Sequence, residues 1–600
     1  MAFCAFCEAN DASMTCSGCK SATYCSVEHQ KSHWKTHKEE CRAFKIFDDK
    51  MTGRYLVTTR DISADSFIMS ESPLVVGPKW SLDEQDRLKP VIPCVGCFNP
   101  VPIYASTRCP VCNWPACSTK CEGLQNDKLH GLECGILAFG KSSYKNKEEN
   151  PEVFLDFYRS DALFALKCLM LKIKKPKKWD ELLKLNAYEI ERKKSPFYED
   201  ANERVVKYLQ RNFLDVVKII EEKTGRKILM DYDSNTLQKI CGIIELYSML
   251  IPLSNGQELS GLFPTACLLK HSCVPNCSYT FNMTDGFKIK LTAGCDIKKG
   301  KVLTTSYTHI LWGTFARREH LLQTRYTKCV CERCIDKTEL GTYFSALRCF
   351  GTEIAHCNGI QLPNDPLDEK SDWSCDKCPI TITTDHVLGL MNQMQDEVDS
   401  IIYNKDASVA SIETLIDKLS QFLHKNHYHL FALKHSLIQM YGHQKEYLLN
   451  QMSESTLERK IKMCHELLEV IQKLDPYAIR LALYTAIIFY ELSSTLIEIG
   501  QRRLKGTSSP EMKIKYAKLF DEAENYLKQG KHALKHEQNT AEGDKTLKQF
   551  NELDEKLQKI LSRVGDPFAR NKILRSGAMS LNTSNCSSAV FRSASLTPAI

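Results

Sequence analysis

Four segments in the last third of the chain space their apolar residues three and four apart: VASIETLIDKLSQFLHK, STLERKIKMCHELLEVIQKL, YAIRLALYTAIIFYELSSTLIEIGQRRL and EMKIKYAKLFDEAENYLKQGKHALK. That is the period of a helix with one buried face, so residues from about 385 to 565 are predicted to be helices packed as antiparallel pairs. Their lengths suit a tetratricopeptide-like array, although no clean 34-residue repeat is present. By contrast, TGRYLVTTRDISADSFIMSESPLVVG reads as two strands joined by a polar turn, with β-branched and aromatic residues in each. After Pro567 the serine-rich tail SGAMSLNTSNCSSAVFRSASLTPAI cannot bury enough apolar surface to order, and disorder is expected there. No apolar run approaches the roughly 18 residues that span a bilayer. MAFCAFCEAN lacks the basic and apolar regions of a signal peptide, so a soluble chain with reduced thiols is expected.

Composition narrows the partners little. Eighty basic against 73 acidic residues leave a formal charge of +7 over 600 residues, too balanced to imply a nucleic-acid surface. The 28 cysteines say more, because most fall into metal-ligand spacings. One eight-ligand pattern occurs twice, first as Cys4, Cys7, Cys16, Cys19, Cys25, His29, His37 and Cys41, then as Cys94, Cys97, Cys109, Cys112, Cys117, Cys121, His130 and Cys134. Thiolate and imidazole are the ligands of tetrahedral zinc, and the pattern predicts two double-zinc modules. If each is compact and interleaved, Cys4, Cys7, Cys25 and His29 close one tetrahedron and Cys16, Cys19, His37 and Cys41 the other; the second module splits as Cys94, Cys97, Cys117, Cys121 and Cys109, Cys112, His130, Cys134. About 40 residues hold too little core to fold alone, so metal supplies much of the folding free energy. YCSVEHQKSHWKTHKEEC reads as two short helices, with His33 outside the repeat spacing. Cys349, Cys357, Cys375 and Cys378 bracket a turn-rich segment, as in a small zinc ribbon, while Cys168, Cys241, Cys267, Cys277, Cys295, Cys464 and Cys586 read as small buried hydrophobes.

The repeated pattern resembles the MYND zinc finger, with His29 where that family more often has Cys. GLFPTACLLKHSCVPNC, IKKGKVLTTSYTHILWGTFARREHLL and CVCERC resemble the core and post-SET parts of a SET-domain methyltransferase. Together they identify the chain as similar to the SET-and-MYND (SMYD) family, in the arthropod-type arrangement with an extra N-terminal finger. The resemblance implies an α+β multidomain chain: a β-rich SET domain with a MYND zinc-finger insertion, a second N-terminal MYND finger, a post-SET zinc site and a C-terminal TPR-like helical domain. The boundaries expected are 1–41 (finger), 42–93 (SET start), 94–134 (second finger), 135–250 (helical insertion), 251–328 (SET core), 329–380 (post-SET and ribbon), 385–565 (helices) and 566–600 (tail). Cys329, Cys331 and Cys334 supply three zinc ligands; by resemblance the fourth is Cys273 of KHSC, with Cys277 the close competitor.

The same resemblance implies a protein-lysine N-methyltransferase that uses S-adenosylmethionine and zinc, acts on histone or non-histone proteins and serves transcriptional regulation. The alternative is a catalytically inactive SET/MYND scaffold, a corepressor or adaptor. Methyl transfer needs a neutral, aligned amine in a dry channel, and apolar burial lowers the lysine pKa from about 10.4. Tyr307 matches the family's active-site tyrosine, and Gly53, Arg54, Tyr55, Lys270 and His271 fall where the cofactor is lined. Departures are visible there. Tyr55 replaces a glycine and should narrow the pocket or turn away, and Lys270 stands in place of Asn. At about 5 Å and an effective dielectric near 20 its ammonium would repel the cofactor's sulfonium by roughly 3 kcal/mol, unless it faces solvent or the cofactor carboxylate. Arg325 aligns with a channel aromatic, and Lys301 and Val302 replace an acidic pair. The expected partners are lysine-bearing protein substrates and, through MYND, proline-containing peptides, with no direct reading of nucleic acid and no membrane. The lysines at 172, 174, 175, 177 and 178 suit either a nuclear-localisation patch or a solvated helix end, leaving nucleus and cytoplasm both open.

Overall fold

A computed structural model describes residues 3–564 apart from 10–11, 17–21, 50–52, 80–90, 105–106, 127–128, 141–151, 226, 230–231, 254–256, 352–355, 405–406, 535–536 and 538–539. The predicted tail, with Cys586, and the ligand Cys19 lie outside the described residues.

The first finger pairs two short strands, Met14–Thr15 and Thr23–Tyr24, against the helix Val27–Cys41. That helix corrects the expectation of two short helices. Ser26 caps it by accepting the His29 N–H, and nothing between 27 and 41 is Gly or Pro, so no residue interrupts the ladder.

The strand segment also differs from its reading. Gly53–Thr58, Phe67–Glu71 and Val75–Lys79 form three strands, and none pairs with the next. Gly53–Thr58 pairs back onto Phe44–Asp49, setting Tyr55 opposite Phe47. Phe67–Glu71 lies beside Lys288–Ala293, which pairs Cys277–Asn282, and Val75–Lys79 joins Glu258–Leu262 and Ser248–Pro252. Phe67–Glu71 and Val75–Lys79 thus find partners more than about 150 positions away, a choice made by the shared core and invisible to local periodicity.

The second finger is fused to that core. Trp114 is fully buried with its ring centre 5.0 Å from Phe154 and 4.6 Å from Phe157, residues of the helix Glu152–Arg159. Ile92, Cys94, Cys109, Trp114 and Leu291 belong to one apolar cluster, whereas Cys4, Cys16 and Tyr24 of the first finger form a separate small one.

Beyond the SET strands a four-stranded sheet, Leu347–Arg348, Ile360–Pro363, Trp373–Cys375 and Thr381–Ile382, forms the ribbon. Helices Thr384–Ile402, Val409–Leu419, Tyr428–Met440, Glu454–Leu474, Ala482–Lys505, Pro510–Ala533 and Ala541–Val564 follow and share a second apolar core. Ala482–Lys505 is long and apolar enough to cross a membrane by composition, yet 78% of its most apolar window is buried in this core, with Lys460 Nζ 2.6 Å from its Glu491. Lys174 and Lys177 of the basic cluster are exposed, at the end of Ala162–Lys174 and the start of Pro176–Leu183.

Candidate active site

The cysteine groups come together as the spacings require. In the first finger Cys4 Sγ lies 3.6 Å from Cys25 Sγ, Cys7 Sγ 3.6 Å from Cys25 Sγ, and His29 Nδ1 2.9 Å from Cys25 Sγ. Cys16 Sγ lies 3.7 Å from Cys41 Sγ, and His37 is buried beside Tyr24. His33 meets the Tyr24 hydroxyl through Nδ1 at 3.1 Å. In the second finger Cys94 and Cys121 lie 4.0 Å apart, Cys97 and Cys117 3.6 Å, Cys109 and Cys134 3.8 Å, and Cys112 lies 3.4 Å from His130 Nε2. Cys349–Cys378 at 3.5 Å and Cys357–Cys375 at 3.7 Å close the ribbon set. A tetrahedron with Zn–S near 2.3 Å has edges of about 3.8 Å, whereas a disulfide needs about 2.05 Å. The donor chemistry and the spacing both fit zinc.

The post-SET set carries this into the catalytic region. Cys273, Cys329, Cys331 and Cys334 hold their sulfurs within 4.8 Å of one another, with Cys273–Cys334 at 3.6 Å and Cys273–Cys329 at 4.0 Å. Cys277 is buried in the SET core instead, its thiol 3.3 Å from Asn276 Oδ1.

Two layers around the ligands were not read from the sequence. Arg317, fully buried, directs Nε to Cys273 Sγ at 3.2 Å and Nη2 to Cys334 Sγ at 3.6 Å, which offsets the negative charge of a four-thiolate site. Glu339 accepts from Arg317 Nη1 at 2.9 Å and from Arg333 Nε at 3.0 Å. Burial alone would raise the Glu339 pKa; the two guanidiniums overcome it and hold the carboxyl at about 2. In the second finger Glu133 Oε1 accepts from His130 Nδ1 at 2.9 Å, fixing the tautomer that leaves Nε2 for metal. The His130–Glu133 spacing of three was the one sequence signal available for this layer.

Next to the zinc clip, Lys270–His271 runs parallel to Thr304–Thr305 and brings His271 to Tyr307. His271 Nδ1 accepts the Tyr307 backbone N–H at 3.0 Å, so in the neutral ring the proton sits on Nε2, which faces Cys273 Sγ at 3.3 Å. The imidazole therefore ties the tyrosine's backbone to the zinc ligand. The Tyr307 hydroxyl donates to the Leu269 carbonyl, and burial pushes the phenol pKa up.

Two of the residues that depart from the family pattern meet one another. Lys270 Nζ sits 3.7 Å from the centre of the Tyr55 ring, a cation–π contact between the two replacements. Burial lowers the Lys270 pKa, with Asp49 opposing. Arg325 stacks its guanidinium 4.9 Å from the Tyr307 ring centre, and its Nη1 donates to the Glu245 carbonyl at 3.4 Å. Gly53 holds φ +71° with open space where a Cβ would project, leaving its backbone approachable. Arg54 turns away and donates to the Lys184 carbonyl at 2.9 Å. His271 and Tyr307 thus form one contact and Lys270 and Tyr55 another, and Arg54 joins neither through its guanidinium. Thr58, near the replaced acidic pair, accepts from the Lys301 N–H at 3.0 Å.

Strands closed by a zinc-clipped segment over a histidine-supported tyrosine define a SET-type domain, and the comparisons agree. The MYND finger family matches residues 4–41, and the SET domain family residues 53–308. The chain is 27% identical over 345 residues to the SET domain-containing protein SmydA-8, isoform A, of Drosophila melanogaster, covering 57% of this chain and 66% of that one. It is 24% identical over 431 residues to histone-lysine N-methyltransferase ASHR1 of Arabidopsis thaliana, covering 71% and 81%, and 42% identical over 74 residues to histone-lysine N-methyltransferase SMYD3 of Homo sapiens, covering 12% and 17%. A crystal structure of the SET domain of LSMT bound to lysine and AdoHcy overlaps 92% of this chain and 98% of that one at 14% identity, with a TM-score of 0.24. The chain thus carries a MYND finger and a SET domain, as its SET-and-MYND relatives do by name.

Proposed function

We propose that the chain is a protein-lysine N-methyltransferase dependent on S-adenosylmethionine, acting on histone or non-histone proteins in transcriptional regulation. The observation that carries the reading is the relay Tyr307–His271–Cys273, in which one imidazole supports the tyrosine backbone and faces a zinc thiolate. When bound, the cofactor supplies an electrophilic methyl group to the substrate amine. Gly53, Lys270, His271 and Tyr307 would hold it: Gly53 by its approachable backbone, Lys270 beside Tyr55, and Tyr307 with its hydroxyl fixed on the Leu269 carbonyl. The zinc clip at Cys273 keeps the post-SET segment over this place, which restricts water and supports a neutral amine.

Exposed Phe3, Phe6 and Trp34 on the first finger support proline-containing peptides as partners, because aromatic rings stack on pyrrolidine faces. The basic stretch near 172–178 supports the nucleus as one location alongside the cytoplasm. Transfer of labelled methyl from S-adenosylmethionine to a lysine peptide library tests the activity. Native protein should label a subset of peptides, and Tyr307→Phe should lose on the order of 100-fold while keeping its zinc. No label from folded, zinc-loaded protein across the library would reject the enzyme and leave the partner-binding scaffold.

A further inference from the structure

We infer that a cavity between the SET strands and the C-terminal helices selects protein substrates with an acidic side chain near the target lysine, and that Arg480 receives the carboxylate. The inference rests on the methyltransferase reading above and deepens it by naming a substrate class. The cavity holds about 300 Å³. One wall is the strand Cys277–Asn282 with Thr308, the residue after Tyr307; the other is the loop before the helix Ala482–Lys505, together with Glu537.

The loop that carries Arg480 is held in shape from both sides. Buried Asp475 accepts the N–H of Ile479 at 3.0 Å, of Arg480 at 2.8 Å and of Leu481 at 2.9 Å. A Cβ on Gly294, just past the strand Lys288–Ala293, would fall 2.3 Å from Ile479 Cδ1, so the loop is seated on the SET domain there. Arg480 Nη1 donates to the Tyr279 hydroxyl at 3.2 Å, and its guanidinium lies 5.7 Å from that ring's centre. Among the described residues this is its one hydrogen bond from the guanidinium, and it forms no ion pair. The acids nearby have other partners: Asp475 is spent on the loop backbone, Glu537 accepts from the Thr540 hydroxyl at 3.4 Å, and Glu258 sits opposite Lys79 in its strand pair. The charges of Asp475 and Glu537 reach Arg480 only after the Tyr279 phenol. His309, which also lines the cavity, is held at about 4 by burial and then by Arg480, so it is neutral at pH 7. Arg480 is therefore the one cation among the described residues of the lining. A guanidinium with unused N–H donors in a partly desolvated wall calls for an anion, and its planar fork matches a carboxylate. Buried Thr308 adds a hydroxyl without a hydrogen-bond partner to the same lining. Tyr279 links this place to the tyrosine of the candidate active site, because it orients Arg480 and is among the groups whose charge acts on the Tyr307 phenol. A substrate that delivers its lysine to Tyr307 thus has neighbouring residues beside Arg480.

Fluorescence-anisotropy binding and labelled-methyl transfer on the full, zinc-loaded chain test the site. The probes are short lysine peptides in a glycine–serine background, blocked at both termini so that a side chain is the only carboxylate, with Glu or Gln placed at each flanking position in turn. At a particular flanking position Glu should bind about tenfold tighter than Gln, and the preference should narrow as ionic strength rises. Arg480→Met should abolish the preference, and Arg480→Glu should turn it toward Lys at the same position. Equal binding of Glu and Gln peptides at every position, or a preference that survives Arg480→Met, overturns the inference and leaves the enzyme reading intact wherever transfer is seen. An acid preference that depends on Arg480, with no methyl transfer to any peptide, keeps the site and rejects the enzyme reading. No binding and no transfer by folded protein overturns both. If neither Arg480 variant folds, the native preference decides by its salt dependence, and a preference unmoved by salt overturns the inference.

Discussion

Glu339 shows how far a single side chain can reach. It joins Arg317, which contacts two zinc thiolates, to Arg333, which donates to the Ile310 carbonyl at 2.6 Å and the Trp312 carbonyl at 3.1 Å. Removing the carboxylate strands two buried cations, so Glu339→Gln should cost about 3 to 5 kcal/mol in denaturant unfolding. The pH dependence follows from the sign of the shift: a carboxyl held at about 2, against an ordinary value near 4.5, adds stability that is fully present above about pH 4.5 and is lost as pH falls through 2. The gap in stability between the native chain and Glu339→Gln should therefore stay level above pH 5 and close on acidification. At the same scale, Cys273→Ser removes the one post-SET zinc ligand that comes from the SET core. It should lower the zinc content by one ion and loosen residues 329–335, read by amide exchange.

At the scale of elements the two fingers share a ligand pattern and differ in how they are held. The second is built into the SET core through Trp114, and its loops touch closely: a Cβ on Gly123 would fall 2.3 Å from the Gly96 backbone. Gly123→Ala should therefore cost about 3 kcal/mol and weaken zinc retention in this finger, measured by competition with a chromogenic chelator. The first finger has only a small core of its own around Cys4, Cys16 and Tyr24, so its order depends on metal. Ser26→Ala removes the cap of the helix that carries His29, His37 and Cys41; it should cost about 1 kcal/mol and make the first finger the earliest to release zinc. The helical segments were legible because each repeats an apolar face locally. The strand partners were not, because strands of similar composition can pair in many ways and only the common core selects among them.

For the whole molecule the expected metal content is six zinc ions. Five complete ligand groups are on hand, and Cys16, His37 and Cys41 belong to a sixth. Metal analysis of pure protein checks the number. A strong chelator should unfold the fingers and release the post-SET segment, while the helices after 384, which share an extended apolar core of their own, keep most of their circular dichroism at 222 nm. Loss of the entire helical signal would show instead that the two cores fold as one unit.

The sequence by itself marked the candidate metal ligands and the C-terminal helices, since both are written in spacings of a few residues: thiols two apart suit a zinc corner, and apolar residues three and four apart suit a helix face. It also marked Tyr55, Lys270 and Arg325 as departures. Only the tertiary structure decided what those departures do, because Lys270, on the strand beside Thr304–Thr305, meets Tyr55 of the separate strand Gly53–Thr58, and Arg325 reaches Tyr307 from the end of a separate helix. Charge acts through space over a few ångströms, and the chain says which charges it owns but not which of them will be neighbours.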